Sequence, residues 1–448
     1  MAENGADMNE QNGRDHVLIQ ISELNKVLAA SIKIKLDKVS PSPSGKSCCI
    51  YKVHEKFRKV NEYAYTPEMV SIGPFHTAKL ALQAMEDHKL RYMHVLLSRT
   101  TSLETKLAEC VESIGKLEEK ARKCYSEPTD HLDRDKFIEM MVVDGLFILE
   151  LFGKSAGVAK YRNNDTIFNN IWGMPSVVRD LILLENQLPM IVLDCLFEVV
   201  KESLGGHSLN KLTLRFFNQL MPRDGEDALQ KYYSCHGKHL LDLFSKTFHP
   251  ALPQHQQETK KKVELKHIPC VTELRQAGVK FKKGSTTGSF VDIKFVDGVM
   301  EIPPILIQDQ TDTLLRNLIA SEQCYAGRST YITSYAFFMD NLINSPNDVR
   351  ILRRYKIITN CLGDDEDVSI LFNKLCSEVT LVNYYYSVLC DEVNEYCEVT
   401  WHAWQATLKR DYFHNPWAII SFVGAILIIF LTFTATLFGM LSFVVHNS

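Results

Sequence analysis

Charged and amide side chains interrupt the most apolar stretches of this 448-residue sequence. The first stretch, MVVDGLFILELF, contains Asp144 and Glu150. The second runs from Val177 to Val200 and contains Arg179, Asp180, Glu185, Asn186 and Gln187. Two buried carboxylates can act as general acid and general base when burial raises the pKa of one of them. One hypothesis is therefore a hydrolase or transferase that uses the acids around Asp144 and Glu185.

The same side chains also have a structural interpretation. A carboxylate buried alone in an apolar core is costly, so each acid needs a partner or a place at the edge of an element. Arg179 and Arg316 are candidate partners, and residues 185–187 lie just before Pro189, where a helix must break and free backbone groups need hydrogen bonds. This interpretation, an ion-pair and amide network that fixes how helices dock, is favoured. No residue is assigned a catalytic role.

Cofactor, metal and nucleic-acid binding find no support in the sequence. The motifs C-x-x-C, H-E-x-x-H and G-x-G-x-x-G are absent. His236 and His239 lie beside Cys235, but a metal site needs three or four converging ligands and no partner pair is identifiable. The formal net charge of −4 lacks the basic excess that is typical of nucleic-acid-binding proteins. We therefore expect no cofactor, no metal and no nucleic acid.

Helical periodicity dominates the elements that must position these groups. Residues 1–46 contain an amphipathic helix at 17–33 and a flexible linker, SPSPSG, at 40–45. A helical domain follows over 47–412, with an exposed connection near 250–268. One seam has 4-3 spacing: Leu103, Leu107, Cys110, Ile114, Leu117, Ala121 and Cys124. It fits a coiled coil or a helix that lays one stripe on its own core, and the second is favoured.

The β signal is confined to one hairpin. Ser289 to Val296 alternates in polarity, Asp297-Gly298 is a typical hairpin turn, and Val299 to Ile307 alternates again. The fold class is therefore mainly α: a large helical soluble region with one small β-hairpin, plus a single C-terminal transmembrane helix.

The transmembrane helix is predicted over residues 415–445. Between Trp417 and Val445 no side chain is charged, and this length of helix spans about 43 Å against a hydrocarbon core of about 30 Å. Asn415 is suited to the N-cap, Pro416 to the first helical position and Trp417 to the membrane interface. Residues 446–448 form a short tail. These features predict an anchor in membrane lipid.

The orientation follows from the charges beside the anchor. Lys409 and Arg410 precede it and no cation follows it, so the positive-inside tendency places the bulk of the chain in the cytosol. The sequence does not distinguish the plasma membrane from an endomembrane.

One face of the predicted anchor is rich in small residues. Its members include Ser421, Ala425, Thr432, Ala435 and Gly439. Small side chains allow two membrane helices to approach closely, so this face is a candidate surface for self-association. Chance spacing is the rival explanation.

Several long phrases resemble, in order, a plant family known as domain of unknown function 247. They include YTPEMVSIGPFH, MEDHKLRYM, DLILLENQLPMIVL, TELRQAGVKFK, LLRNLIASEQC, LINSPNDVRIL, LGDDEDV and NPWAII. The sequence departs from the pattern of the family at His54 and Thr77. The resemblance implies a largely helical, membrane-anchored plant protein without established catalytic residues. Some grass relatives look linked to pollen–stigma self-incompatibility, which implies a recognition role.

The expected function is a membrane-anchored plant protein that binds other proteins or copies of itself. The alternative is a membrane-bound hydrolase or transferase that uses buried carboxylates. The two differ structurally, because an enzyme needs its acids to converge on an accessible pocket. A closed, mutually paired arrangement of Asp144, Arg179 and Glu185 would favour the binding protein.

Overall fold

The computed structural model describes residues 25–36, 48–160, 165–223, 227–250, 266–324, 329–399 and 416–446. Several sequence predictions lie outside these ranges. They are the first half of the helix at 17–33, the linker at 40–45, most of the connection at 250–268, the cations Lys409 and Arg410, the cap Asn415 and the end of the tail.

A short N-terminal helix, α1, covers residues 25–36 and belongs to a compact unit of its own. Its apolar side chains, which include Val27, Leu28 and Ile32, are exposed. The second unit begins at Cys49 and contains all the remaining elements.

Helices make up most of the second unit. In chain order they are α2 Glu55–Val60, α3 Glu86–Leu97, α4 Leu103–Arg122, α5 Arg134–Ser155, α6 Gly173–Leu181, α7 Met190–Val200, α8 Leu209–Phe217, α9 Asp227–Gln230, α10 Leu240–Ser245, α11 Val271–Gln276, α12 Asp309–Gln323, α13 Tyr331–Leu342, α14 Pro346–Arg354, α15 Asp365–Leu375, α16 Ser387–Glu398 and α17 Pro416–His446. Short 3-10 turns lie at Tyr63–Tyr65, Leu80–Met85, Lys201–Leu204 and Lys246–Phe248.

Helix α5 forms the centre of the hydrophobic core. It is buried on all sides over most of its length, as expected for a strongly apolar helix inside a large domain. Asp133 caps its start by accepting a hydrogen bond from the backbone N–H of Lys136 at 2.9 Å. Helices α3, α4 and α7 pack against it. Gly145 permits the close approach of α7, because an added Cβ would collide with Leu196.

Helix α4 lays its heptad seam on the core of its own chain. Cys110, Ile114 and Ala121 are buried, and Leu103 and Leu107 pack against the core cluster.

The apolar segment from Val177 to Val200 divides into α6 and α7, and Pro189 stands immediately before the first residue of α7.

The strands form two small sheets. Strands β2 (Lys294–Val296) and β3 (Val299–Ile302) are antiparallel, and β1 (Lys280–Lys283) pairs with β3 in parallel. The hairpin turn places Asp297 at φ 50° and Gly298 at φ 73°, which is the geometry of the type I′ turn. A second sheet joins β4 (Ile305–Ile307) to β5 (Ile358–Asn360) in parallel.

The predicted fold class is confirmed: the chain is mainly helical with small sheets, and the hairpin lies at the predicted turn. Within the described residues, α17 is long and apolar enough to cross a membrane. Its central 19 residues, Ile420–Phe438, have a mean hydropathy of 2.3, and none of that window is buried.

Candidate functional site

The polar side chains of the apolar helices surround one buried segment, residues 66–76, which has no regular secondary structure. From Met69 to Pro74 every residue is buried. Buried backbone N–H and C=O groups must be hydrogen-bonded, and this segment lacks a strand partner. Side chains therefore have to supply the missing partners.

Asp180, near the end of α6, accepts three backbone hydrogen bonds from this segment. Its carboxylate lies 3.1 Å from the N–H nitrogen of Glu68, 2.7 Å from that of Met69 and 2.9 Å from that of Val70. Burial raises the pKa of Asp180 to about 6, although these three hydrogen bonds act in the opposite direction. The carboxylate is fully enclosed and faces backbone rather than solvent.

Asn186 and Asp144 continue this pattern along the segment. Asn186 Oδ1 accepts from the N–H of Ile72 at 2.7 Å, and its Nδ2 donates to the carbonyl oxygen of Val70 at 3.0 Å. Asp144 Oδ2 accepts from the N–H of Gly73 at 2.8 Å. The two side chains therefore replace the hydrogen bonds that a neighbouring strand would supply.

Lys89 of α3 neutralises Asp144 inside the core. Its Nζ donates to Asp144 Oδ1 at 2.7 Å, to the carbonyl oxygen of Ser71 at 2.5 Å and to Glu86 Oε1 at 2.7 Å. Burial lowers the pKa of Lys89, but the Asp144 and Glu86 carboxylates raise it more, so it lies above its ordinary value. Burial likewise raises the pKa of Asp144, and Lys89 opposes that shift.

Glu185 connects the loop between α6 and α7 to the region around α2. Its Oε1 accepts from the N–H of Val53 at 2.5 Å, and its Oε2 is paired with Arg58 Nη2 at 2.5 Å. His76 Nε2 lies 3.3 Å from the same Oε2. Burial raises the pKa of Glu185, but His76 and Arg58 lower it more, so the net shift is downward.

Two amides complete the connection around the break at Pro189. Gln187 Oε1 accepts from the N–H of Leu241 at 3.1 Å, and its Nε2 donates to two carbonyl oxygens of the preceding turn. Asn317 of α12 accepts from the N–H of Leu184 at 2.9 Å and donates to the carbonyl oxygen of Ala64 at 2.7 Å. These contacts tie α10 and α12 to the same loop.

The two arginines named from sequence lie in different places. Arg179 donates to Asp180 Oδ1 at 3.0 Å and to the carbonyl oxygen of Thr66 at 3.1 Å. Arg316 instead pairs at 2.8 Å with Asp312, one turn earlier on α12, and contacts none of the network acids. Glu150 forms a separate bidentate pair with Arg99.

Sequence reasoning missed Lys89 as a member of this network. A signal for Lys89 exists, because it lies with Met85, Tyr92 and Leu96 on the apolar face of one helix at spacings of three and four residues. A lysine on such a face predicts a buried acid as its partner.

Sequence reasoning also missed a G-x-S-x-G pattern at residues 153–157. In hydrolases this motif turns sharply from a strand into a helix. Here Ser155 is the last residue of helix α5, and Gly157 at φ +74° terminates that helix. The serine is therefore part of a helix C-cap and not of a nucleophile elbow.

The acids of the network do not line a described cavity that could hold a substrate. The larger cavity described, about 580 Å³, lies between α3, α4 and α5, and a smaller one of about 180 Å³ lies near β1. Neither is lined by Asp144, Asp180 or Glu185. In the described ranges, no cluster of three or more histidine, cysteine or acidic side chains could hold a metal ion. Asp144, Asp180 and Glu185 instead contact backbone N–H groups and cations.

The residues of the predicted anchor lie on α17. Pro416 is its first residue, Trp417 follows, and Val445 is within its last turn. Ser421, Ala425, Thr432 and Ala435 are exposed. The Thr432 hydroxyl donates to the carbonyl oxygen of Ile428 at 2.7 Å, so it is satisfied within its own helix. Gly439 is helical, and the surroundings of its position lie outside the described side chains.

Comparison with known proteins identifies relatives over most of the chain. The model of a family named DUF247, described as plant protein of unknown function, matches residues 50–431. The chain is 31% identical over 427 residues to the UPF0481 protein At3g47200 of Arabidopsis thaliana, covering 90% of this chain and 88% of that protein. It is 24% identical over 461 residues to the putative UPF0481 protein At3g02645 of the same plant, covering 82% and 85%. No solved structure gives a significant match.

Proposed function

We propose that this chain, which belongs to the DUF247 family of plant proteins, is a membrane-anchored interaction protein. In this proposal α17 holds the helical body at a membrane, and the surface of the body binds other proteins or further copies of the chain. The observation that carries the proposal is the exposed apolar surface of α17. The family description assigns no activity, so the argument rests on the chain itself.

The dimensions of α17 support the anchor. Its most apolar window has 19 residues, which span about 28 Å at the rise of an α-helix, close to the thickness of a hydrocarbon core. Large apolar side chains point outward along the window, including Ile429, Leu431 and Phe438, each more than 60% exposed. Soluble proteins rarely expose so large a continuous apolar surface, and lipid removes it from water.

The buried network supports binding rather than catalysis. Asp144, Asp180 and Glu185 each accept hydrogen bonds from backbone N–H groups and lie beside a cation. A general acid or base must instead reach a bound substrate. The alternative, a membrane-bound hydrolase or transferase using these acids, would require the network to open.

The proposed orientation places the body in the cytosol, from Lys409 and Arg410 beside the anchor. Protease protection tests it: in sealed microsomes we expect added protease to digest the body. Full protection of the body would contradict this orientation.

Extraction with alkaline carbonate tests the anchor. We expect the full-length protein to stay in the membrane pellet. A variant with Ile428→Arg and Leu431→Arg places two charges near the centre of the apolar window, each costing about 3 kcal/mol to insert, and should enter the supernatant. The control carries Val382→Arg and Val388→Arg, at two positions 60% exposed on the body, and should stay in the pellet. Extraction of the wild-type protein would refute the anchor.

Proximity labelling tests the interaction role. The full-length chain and the variant with Ile428→Arg and Leu431→Arg are each fused to a labelling enzyme. A binding surface on the body should keep a shared subset of neighbours when the anchor is lost. If the variant loses every neighbour, the body contributes no binding of its own and the proposal fails.

A further inference from the structure

A small pocket of about 180 Å³ lies where four segments of the body meet, remote in sequence from the buried network. The segments are the end of the α8 region, the turn after α10, the loop that follows β1 and the connection between β3 and β4. Its polar lining comes from Arg223, Lys283, Ser285 and Thr286, which together we call the basic pocket. No acidic side chain is among its described lining residues.

Arg223 is a largely buried cation. Its Nη2 donates to the carbonyl oxygen of Thr247 at 2.5 Å, whereas its buried Nη1 has no hydrogen-bond partner in the described part of the chain. Burial lowers the pKa of Arg223, and the Tyr232 and Asp292 side chains offset part of that shift. The rings of Tyr232, at 5.5 Å, and Phe248, at 5.4 Å, flank the guanidinium. Because aromatic rings rather than a carboxylate surround its charge in the described residues, Arg223 contributes a positive potential to the pocket that favours an external anion.

Lys283 adds a second cation at the mouth of the pocket. It is the last residue of β1 and is exposed, and it makes no ion pair with the described acids. The adjacent Lys282 behaves differently, because its Nζ pairs with Glu301 at 3.0 Å. The two lysines thus have the same chemistry and adjacent positions, but only Lys283 lines the pocket.

The loop after β1 presents hydroxyl groups beside the cations. Gly284 has its N–H bonded to the carbonyl oxygen of Ile302, and an added Cβ would lie 2.9 Å from the nitrogen of Pro303, so only glycine lets the loop pack this closely. Ser285 Oγ accepts from the N–H of Thr287 at 3.2 Å, which folds the loop over the pocket residues. Apolar walls that include Phe248 reduce the local dielectric and strengthen charge interactions inside.

We propose that the basic pocket binds a tetrahedral oxyanion of the phosphate type, either as the free ion or as a small phosphomonoester. Two cations and two hydroxyl groups, with no carboxylate among the described lining residues, supply the donors that such an anion accepts. The volume lies below the roughly 300 to 1,000 Å³ of pockets that bury whole organic ligands, which excludes a nucleotide bound entirely within it. This inference stands apart from the proposed anchor and interaction role.

Isothermal titration calorimetry on the full-length protein in neutral detergent tests the proposal. The ligands are inorganic phosphate and O-phosphoserine, titrated in Tris buffer with sodium chloride at matched ionic strength. We expect saturable binding of phosphate with one site per chain. Lys283→Gln should weaken it about tenfold, as expected for loss of a charged hydrogen-bond donor, whereas Lys282→Gln should change it less than twofold.

A further variant, Arg223→Gln, should abolish binding, and its thermal midpoint without ligand reports whether it remains folded. Lys283→Gln keeps the test decisive if Arg223→Gln unfolds, because Lys283 is exposed. Binding of phosphate alone supports a site for the free ion, and binding of O-phosphoserine supports a site for a phosphomonoester. Absence of binding by both ligands, or equal weakening by Lys282→Gln and Lys283→Gln, would overturn the proposal.

Discussion

Replacement of Lys89 by methionine removes the buried cation that neutralises Asp144. Methionine keeps most of the apolar length of the side chain, so packing changes little while the charge is lost. Both Lys89 and Asp144 have side chains only 2% exposed. The substitution therefore leaves a carboxylate in the core with the N–H of Gly73 as its remaining described hydrogen-bond donor.

The expected loss in the free energy of unfolding is about 3 to 5 kcal/mol, the usual effect of removing one partner from a buried ion pair. A second contribution comes from the carbonyl oxygen of Ser71, which accepts from Lys89 Nζ at 2.5 Å and loses this donor. An unsatisfied buried acceptor alone costs about 1 to 3 kcal/mol. We therefore expect a total loss of about 4 kcal/mol or more.

The assay is a urea titration of the full-length protein in neutral detergent, followed by far-ultraviolet circular dichroism. The matched control is Lys116→Met, which removes a lysine 71% exposed that pairs with Glu112 at 2.6 Å. Exposed pairs contribute less than about 1 kcal/mol, so this variant should resemble the wild type. The double variant Lys89→Met with Asp144→Asn should recover part of the loss, because the unpaired charge is gone.

The loss should also depend on pH. The pKa of Asp144 in the folded protein lies above its ordinary value. Between those two values the folded state binds more protons than the unfolded state, so stability falls as pH rises. Without Lys89 nothing of comparable charge opposes the shift, and the variant should be less destabilised at pH 5 than at pH 8. If Lys89→Met and Lys116→Met lose equal stability at both pH values, the ion-pair reasoning is refuted.

Two further predictions concern the glycine in the network and the small face of α17. In the same titration, Gly73→Ala should lower the free energy of unfolding by about 2 kcal/mol more than Gly157→Ala does. Both glycines have φ near +70°, but only at Gly73 would an added Cβ lie 2.7 Å from a backbone oxygen. Equal losses in the two variants would contradict this. If the small face pairs two membrane helices, Ala425→Leu with Gly439→Leu should reduce the dimer cross-linking yield in membranes, with Val423→Leu as the control. An unchanged yield would exclude that face.

The elements that the sequence predicts well carry a local signal. The turn at Asp297-Gly298 needs two residues at positive φ, and this requirement is visible in two adjacent letters. The break before α7 is likewise visible as Pro189. Strands β1 and β5 were not predicted, because each has only three or four residues and pairs in parallel with a partner elsewhere in the chain.

The sequence indicates which acids lie inside apolar segments and favours a role in helix docking, but it does not indicate that residues 66–73 are their partners. The polar residues inside apolar helices stand out, and so their need for partners could be inferred. Their partners are backbone groups of residues 66–73, more than 70 positions earlier for Asp144 and more than 100 earlier for Asp180. No periodicity marks a segment without secondary structure, so the sequence could not show where these acids point.

The long reach of these hydrogen bonds has a consequence for biosynthesis. The carbonyl oxygen of Ala64 accepts a hydrogen bond from the side-chain amide of Asn317, which lies 253 positions later. The side-chain amide of Asn61 likewise donates to Asp312. On the ribosome, the amino-terminal quarter of the body therefore cannot reach its final arrangement until most of the polypeptide has been translated. Folding of this stretch during synthesis should therefore remain incomplete until α12 has left the ribosome.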